Sequence, residues 1–422
     1  AIAAGWTFTE EGFMESLRNW FDFGKIRASW GMSGMHFYQN YLALGIMAVD
    51  NSSYLGNPVI TPVWNDGLYN QDLSWEKTSQ YDFGLDLNFL NYRLGATLDY
   101  YYRYTEDLLM PVPLPGNYNG FQNQWRNTAA ISNEGIELMV EYKFFDRPDL
   151  LWRMSVNGAK NWNRFEKSYD GHDLDNKIIG KPLNQIHVLK TNGFINEQAE
   201  VPISWKTDGS NGPMNVGPGY MQPGDYKIVD ANGDGHINSN DYVYIGSALP
   251  TISGGIVNEF KWKGFDVNML LSYQLGRYIL YPFAVQSLAS NEFNALIFDL
   301  EETTFWEKPG DKADYARLQP GYVDNHVYDY LLDRNVAKVN WLKLKTLTVG
   351  YTLPSEWTRR WFIEQLRFFV SGENLLTWTN YVGMDPETVD ITTGIDGVLT
   401  GTGIQGSYPL ARKFTIGVTL KF

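Results

Sequence analysis

The chain has 422 residues, no cysteine, and 34 Lys and Arg against 48 Asp and Glu, so its formal net charge is −14. The missing thiols exclude a disulfide scaffold and a cysteine metal site, and the acidic balance argues against nucleic acid as a partner. No stretch reaches the ~18 apolar residues of a membrane helix. The mean hydropathy of −0.32 still permits a membrane barrel, whose strands alternate apolar and polar residues.

The N-terminal stretch shows no signal peptide, because residues 1–4 carry no basic side chain and polar residues begin at Thr7. We therefore expect either a mature chain or one that begins partway through a longer protein. Residues 1–6 are interpreted as the tail of a preceding strand. The spacing of Met14, Leu17 and Trp20 predicts a single amphipathic helix within 7–23.

Ten segments alternate with the period of two that is typical of strands. The predicted strands are 24–33, 80–90, 93–104, 126–144, 151–165, 251–262, 264–277, 338–353, 365–376 and 411–422. The last is the clearest, and its apolar set forms a predicted assembly signal: Phe414, Ile416, Val418, Leu420 and Phe422. We expect this set to face lipid, with Thr415, Gly417 and Thr419 facing a lumen.

The strands of a soluble β-sandwich or propeller also alternate apolar and polar residues, so strand length and the residues at strand ends are needed to choose a fold class. Several runs reach ~10 residues or more, as tilted membrane strands do, whereas soluble strands peak near ~5–6. Aromatic residues such as Tyr102 and Phe144 end the apolar faces, like interfacial girdles. Short connections alternate with long ones. The long connections are 34–79, 105–125, 166–250, 278–337 and 377–410. The prediction is all-β, a transmembrane antiparallel β-barrel, with the soluble fold as the alternative.

Several motifs, in this order along almost the whole chain, resemble the C-terminal half of the SusC/RagA family of TonB-dependent outer-membrane transporters from the Bacteroidetes. They are 25–34 (KIRASWGMSG), 72–80 (DLSWEKTSQ), 131–138 (ISNEGIEL), 223–227 (PGDYK), 245–247 (IGS), 342–354 (LKLKTLTVGYTLP), 372–376 (GENLL) and 383–387 (GMDPE).

The resemblance implies that 1–422 is the C-terminal part of a barrel of about 22 strands, supplying about ten strands and part of another. Family members also carry a plug, a TonB box and an N-terminal domain, none of which this sequence contains. Half a barrel would leave two unpaired strand edges in lipid. We therefore expect the chain to be a fragment, or part, of a longer protein. The segment 166–250 would be a long extracellular loop.

The resemblance also implies a TonB-energised importer of large nutrients in the outer membrane of a Gram-negative bacterium, with no enzymatic activity. Oligosaccharides are the first expected cargo and oligopeptides the second. The implied partners are a SusD-like lipoprotein at the loops 166–250 and 278–337, the TonB complex through the absent N-terminal part, and membrane lipid and lipopolysaccharide. Transporter–lipoprotein pairs can dimerise in such a system. The alternative is a β-rich surface glycan-binding module without transport.

One loop has the ligand spacing of a calcium site. Its oxygen-bearing residues occupy positions 1, 3, 5, 7, 9 and 12, and Gly235 occupies position 6, where the chain must turn sharply. The ligands would be Asp230, Asn232, Asp234, His236 (through its carbonyl), Asn238 and Asp241. The pattern predicts bound Ca²⁺, with an ion-free Asx-rich turn as the alternative. No organic cofactor is expected.

Catalytic residues are not evident. The five histidines are scattered, and the carboxylates Asp82, Asp86, Glu137 and Glu141, which could mimic an acid–base pair, suit the lining of a wet lumen better. Aromatic residues such as Trp306 are frequent in the long loops, where they suit either sugar rings or packing between loops. The sequence does not identify the substrate-contacting residues.

Overall fold

A computed structural model describes the chain apart from residues 18–19, 37–42, 45–46, 55–56, 63–66, 116–120, 175–176, 206–210, 217–218, 236, 238, 281–303, 318–331, 382–384 and 388–409. Its main feature is one antiparallel sheet of eleven strands, in which each strand pairs with the next along the chain. The strands are β1 (Ile2–Trp6), β2 (Phe21–Met35), β3 (Glu76–Phe89), β4 (Leu94–Pro113), β5 (Asn123–Arg147), β6 (Leu150–Lys167), β7 (Ile252–Trp262), β8 (Phe265–Leu280), β9 (Val336–Thr352), β10 (Gln365–Thr379) and β11 (Lys413–Lys421).

All ten predicted strands are confirmed, and Ile2–Trp6 within the first six residues forms an edge strand, β1, as expected. The predicted loop 105–125 is mostly wrong, since β4 and β5 continue pairing as far as Pro113 and Asn123. Met110 and Val112 are buried there. Burial of these two side chains stabilises the pairing of β4 with β5 beyond the residues that strictly alternate apolar and polar.

The single helix predicted within 7–23 is also wrong. Two 3₁₀ helices, Phe8–Glu10 and Gly12–Leu17, replace it. The Thr9 hydroxyl accepts a hydrogen bond from the Gly24 N–H at 3.0 Å, and the Phe8 ring occupies the space that a Cβ on Gly24 would need. These contacts hold the turn against β2, so it cannot continue as a free helix.

The sheet has an apolar face and a polar face, because successive side chains of a strand point to opposite sides. Register places Ile26, Leu85, Leu98 and Leu138 in one row across β2 to β5. Large apolar side chains of this face are exposed, and they include Trp30, Phe83, Tyr100, Ile136, Trp262, Phe265, Val349, Phe368, Val370, Phe414, Ile416 and Val418. A single layer of this kind needs another apolar medium against its apolar face.

The two ends of the sheet differ. Short turns join strands at one end, at residues 90–93, 148–149 and 263–264, and the connection after β9 contains the helix α1 (Ser355–Thr358) and a 3₁₀ turn, Arg359–Trp361. Among the described residues, no helix is long and apolar enough to cross a membrane. We call the opposite end the long-connection end. Its first connection contains the hairpin of Met47–Tyr54 and Asn57–Pro62.

Two long connections fold together at that end, and we call this body the loop unit. It consists of the described parts of 168–251 and 304–317, together with Leu332. Its short strands are Gln185–Val188, Thr191–Phe194, Ile203–Trp205, Asn211–Pro213, Asn215–Val216, Gly219–Tyr220, Tyr226–Ile228 and Val243–Ser247, and its 3₁₀ helices include Gln198–Glu200 and Ser239–Asp241. A buried cluster that includes Leu189, Ile195, Met214, Ala316 and Leu332 joins the two connections.

Candidate functional site

Fixed charge pairs occupy the polar face of the sheet. On β2, Arg27 donates from Nε and Nη2 to both carboxylate oxygens of Asp86, at 2.7 and 3.0 Å. Its Nη2 also reaches Asp99 on β4, at 2.8 Å, across the intervening strand β3. The residue opposite Arg27 on β3 is Gly84, where a Cβ would lie 2.5 Å from the guanidinium carbon. The glycine therefore makes room for a side chain that links three strands.

The same arrangement recurs at the other side of the sheet. Arg367 on β10 donates to Asp266 on β8, at 2.8 Å from Nε, and crosses β9 at Gly350. A Cβ on Gly350 would lie within 2.6 Å of the Asp266 carboxylate. A third crossing uses a tyrosine, since the Tyr101 hydroxyl passes Gly135 and donates to Asn161 Oδ1 at 2.9 Å.

The four carboxylates considered for acid–base chemistry all lie on this polar face, two on β3 and two on β5. Asp86 is bound by Arg27, and Asp82 accepts a hydrogen bond from the Ser29 hydroxyl at 3.1 Å. Glu141 lies 3.7 Å from Arg153. Arginine and hydroxyl partners stabilise ionised carboxylates, so the arrangement suits a charged, hydrated wall.

A buried lysine connects the wall to the connection between β10 and β11. Lys343 on β9 is 2% exposed, and its Nζ lies 2.5 Å from Asp385 and 2.9 Å from Glu387. Lys345 also contacts Glu387. Burial alone would raise the pKa of both carboxyl groups, but the lysine contacts, joined at Asp385 by main-chain hydrogen bonds, outweigh it and lower the pKa of each. These contacts hold residues 385–387 against the polar face.

Another buried pair joins the halves of the loop unit. The Arg317 guanidinium lies 2.8 Å from the Asp225 carboxylate, and both side chains are largely buried. Trp306 is buried as well, and its ring occupies the space that a Cβ on Gly224 would need. Trp306 therefore packs between loops and is not an exposed platform for sugar rings.

The predicted calcium loop closes on itself through its own carboxylates. Asp230 accepts the N–H groups of Gly233 and Gly235, each at 2.7 Å, and Asp241 accepts the Ala231 N–H at 2.8 Å. His236 and Asn238 lie outside the described residues. Within the part of the chain that the structure describes, no three His, Asp or Glu side chains are grouped closely enough to hold a metal. Bound Ca²⁺ stays a prediction.

The predicted assembly strand lies at one edge of the sheet. β11 pairs with β10 in regular register from Lys413 to Lys421. The side chain of Ile416 is 82% exposed and that of Phe414 is 70% exposed. On the opposite face the Phe369 ring lies over Gly417, which places Gly417 on the polar side as expected. The role of this strand in assembly stays a prediction.

The side chains that cross between strands were not predicted from the sequence. Arg27, Arg367 and Tyr101 gave no separate signal, and their partners are 72, 101 and 60 residues distant in sequence. The available signal was the glycine within each strand. An interior strand glycine without a turn indicates close approach of another group.

A family model described as TonB dependent receptor-like, beta-barrel matches residues 2–294. The TonB-dependent receptor P3 of Formosa agariphila is 30% identical over 100% of this chain and 41% of its own length. The TonB-dependent receptor SusC of Bacteroides thetaiotaomicron is 26% identical over 100% of this chain and 40% of its own length. The chain thus spans about two fifths of these curated relatives.

Among solved structures, the chain is similar over its full length to a chain in the structure of the RagAB peptide transporter. The TM-score is 0.73, the identity is 23%, and 43% of that chain is covered. At this identity the similarity shows the fold.

Proposed function

Because the chain belongs to the TonB dependent receptor-like β-barrel family, we propose that it forms part of the wall of an outer-membrane transporter for large nutrients. The observation that supports this is the open eleven-stranded sheet with one apolar and one polar face. In lipid, the free edges of β1 and β11 need partner strands. The rest of the barrel would pair with both edges.

In this proposal the apolar face contacts lipid and lipopolysaccharide, and the polar face lines the lumen. The long-connection end is extracellular, as in other outer-membrane barrels. Energy would come from the TonB complex, acting through parts of the protein outside 1–422. The chain itself would make no covalent change to the cargo.

The proposed cargo is an oligosaccharide first and an oligopeptide second. The family resemblance of the sequence motifs supports the first choice, and the similarity to a chain of the RagAB peptide transporter supports the second. Charged groups on the polar face are paired across strands. Such a wall offers hydrated, fixed dipoles along which polar cargo can pass.

We also propose a SusD-like surface lipoprotein that covers the loop unit, and a bound Ca²⁺ in loop 230–241. The size of the connections supports the first, because loops beyond ~12–15 residues are uncommon unless functional. The spacing of oxygen ligands supports the second. Transporter–lipoprotein pairs would be able to dimerise.

Uptake by intact cells tests the transport proposal. Cells lacking the gene should lose uptake of fluorescent oligosaccharides, or of fluorescent peptides, and should regain it with the whole protein. Mild-detergent purification should also recover a lipoprotein. A glycan-binding module without transport would instead bind glycan in plain buffer, and its gel mobility would not change on heating. That result, with unchanged uptake in the deletion strain, would contradict the proposal.

A further inference from the structure

The wall has a gap near its long-connection end, between β6 and β8. The strand between them, β7, begins only at Ile252. The chain just before it turns toward β8, because the Thr251 N–H donates to the Leu275 carbonyl at 2.8 Å. Arg277 on β8 also donates to the Ala248 carbonyl, at 3.0 Å. Residues 248–251 are thus drawn to β8, and β6 loses its neighbour on that side.

The edge of β6 beside this gap presents main-chain groups. Pairing with β7 ends at Ala159. Phe165 donates to Lys181 and accepts from Gly180, at 2.8 and 2.7 Å. Alternate residues of an antiparallel strand direct both N–H and C=O to the same side, so Asn161 and Asn163 direct theirs into the gap. No described residue pairs with these four main-chain groups. The Asn161 side chain points elsewhere, to Tyr101.

A cavity of about 430 Å³ lies beside this edge. It is lined by β6 from Lys160 to Arg164 and, opposite, by residues that include Tyr244 and Tyr278. The described lining contains no aspartate or glutamate, although the whole chain carries a net charge of −14. Lys160 lies over the Trp162 ring, with Nζ 4.7 Å from its centroid, and makes no ion pair with a described carboxylate. Arg164, the other cation of the lining, pairs with Glu134, so Lys160 supplies the unneutralised charge of the cavity.

We propose that this cavity binds a short extended peptide with an acidic side chain, which adds to the edge of β6 as a strand. The N–H and C=O groups of Asn161 and Asn163 supply two donors and two acceptors at a two-residue spacing. This spacing matches the main chain of an extended peptide. The five residues between Ala159 and Phe165 span about 16 Å at ~3.3 Å per residue, which matches an extended peptide of about five residues. Lys160, whose register partner on β5 is Ile136 of the apolar face, supplies charge complementarity on that face, near the long-connection end of the wall. At this position the inference specifies a peptide, and not an oligosaccharide, as the ligand. It rests on the proposed function, which would bring the peptide to the site.

Binding to the purified whole protein in detergent tests the inference directly. The probe is a fluorescent pentapeptide of alternating Val and Thr with a central Glu, measured by anisotropy. Methylating its main-chain nitrogens should weaken binding at least tenfold, because the donors to the edge are lost. Replacing the central Glu by Gln should weaken it severalfold. Equal binding of the methylated and unmethylated peptides to the wild-type protein would overturn the proposal.

Two matched variants sharpen the test. Asn161→Pro removes the N–H that faces the gap, while Asn161→Ala keeps it and removes only the side chain. We expect Asn161→Pro to lose about tenfold in affinity, and Asn161→Ala, which keeps the N–H but loses the hydrogen bond from Tyr101, to lose about twofold at most. Lys160→Gln should remove the preference for Glu over Gln. Equal losses of probe affinity in both Asn161 variants would contradict the proposed peptide site on β6. Displacement of the probe by a sulfated oligosaccharide but not by unlabelled peptide would contradict it as well.

Uptake measurements keep this inference separate from the proposed function. Peptide binding with no nutrient uptake by cells would refute transport alone. Uptake without binding of the probe peptide would refute the β6 site alone.

Discussion

The wall and the loop unit are stabilised in different ways. In the wall, strands adjacent in sequence are adjacent in space, and side chains such as Ile416 stay exposed on the apolar face. In the loop unit, Leu189 and Leu332 are almost fully buried in one cluster although they lie far apart in the chain. The loop unit thus has its own hydrophobic core, whereas the wall needs an outside apolar medium to bury its largest apolar surface.

The largest expected effect comes from breaking the apolar face of the wall. Ile416→Asp or Val418→Asp places a carboxylate in the band proposed to contact lipid. The cost there is up to a few kcal/mol, somewhat less for an acidic residue than for a basic one. We expect the whole protein to be lost from the outer membrane. The measurement is the amount of heat-modifiable protein in the membrane fraction, and deleting Phe422 should lower it as well.

Thr419→Asp is the matched control on the same strand. Thr419 lies on the polar face, opposite Arg367, so a carboxylate there meets a cation and water. Insertion at wild-type amounts is expected. Wild-type insertion of the Ile416 and Val418 variants would show that this face does not contact lipid.

The wall was largely predictable from the sequence, and the loop unit was not. A strand such as β11 shows its faces in its own residues, because burial alternates with period two. The Asp225–Arg317 contact depends on two connections whose contacting residues are 92 positions apart, and no local pattern encodes it. The gap beside β6 was equally hidden, since it arises where Thr251 bonds to β8. In the sequence, the crossings at Gly84 and Gly350 were visible only as glycines within strands, and no local pattern showed what they make room for.

The next effect concerns the contact between wall and loop at Lys343. Asp385→Ala leaves a lysine that is 2% exposed without one of its two carboxylate partners. Removing a partner from a buried pair costs about 3–5 kcal/mol. We expect faster hydrogen exchange in the peptide that contains Glu387, whose N–H donates to Asp385. Lys413→Ala is the control, since its pair with Glu373 is exposed and worth only about 0–1 kcal/mol.

The same contact predicts a dependence on pH. The pKa values of Asp385 and Glu387 lie below their ordinary values of 3.8 and 4.5. A lowered pKa in the folded state stabilises the contact above the ordinary pKa, and this stabilisation is lost as pH falls through the lowered value. Exchange at residues 385–387 should therefore be constant from neutral pH to about pH 5, after correction for intrinsic rates, and should rise below about pH 4. A rise beginning near pH 6 would contradict the assignment.

A smaller effect is expected at the glycine crossings of the wall. Gly84→Val should displace Arg27 from Asp99, and Gly350→Val should displace Arg367 from Asp266. Each substitution should lower the free energy of unfolding by about 1–2 kcal/mol. Gly95→Val is the milder control, because a Cβ there meets only the Asn88 side chain, at 3.1 Å. The temperature at which the folded gel band disappears should fall for the first two. Equal shifts in all three would mean that strand propensity, not the crossing, sets the cost.

The smallest effect is expected in loop 230–241, within the loop unit. Asp230→Ala with Asp234→Ala removes two of the proposed calcium ligands and also the hydrogen bonds from Asp230 to Gly233 and Gly235. If the loop binds Ca²⁺, the wild type should be cleaved there by protease only after chelation, and the double variant should be cleaved with or without Ca²⁺. The heat-modifiable band of the wall should not change, because the loop unit carries its own core. Cleavage of the wild type at the same rate in Ca²⁺ and in chelator would show that the loop is an Asx-rich turn closed by hydrogen bonds alone.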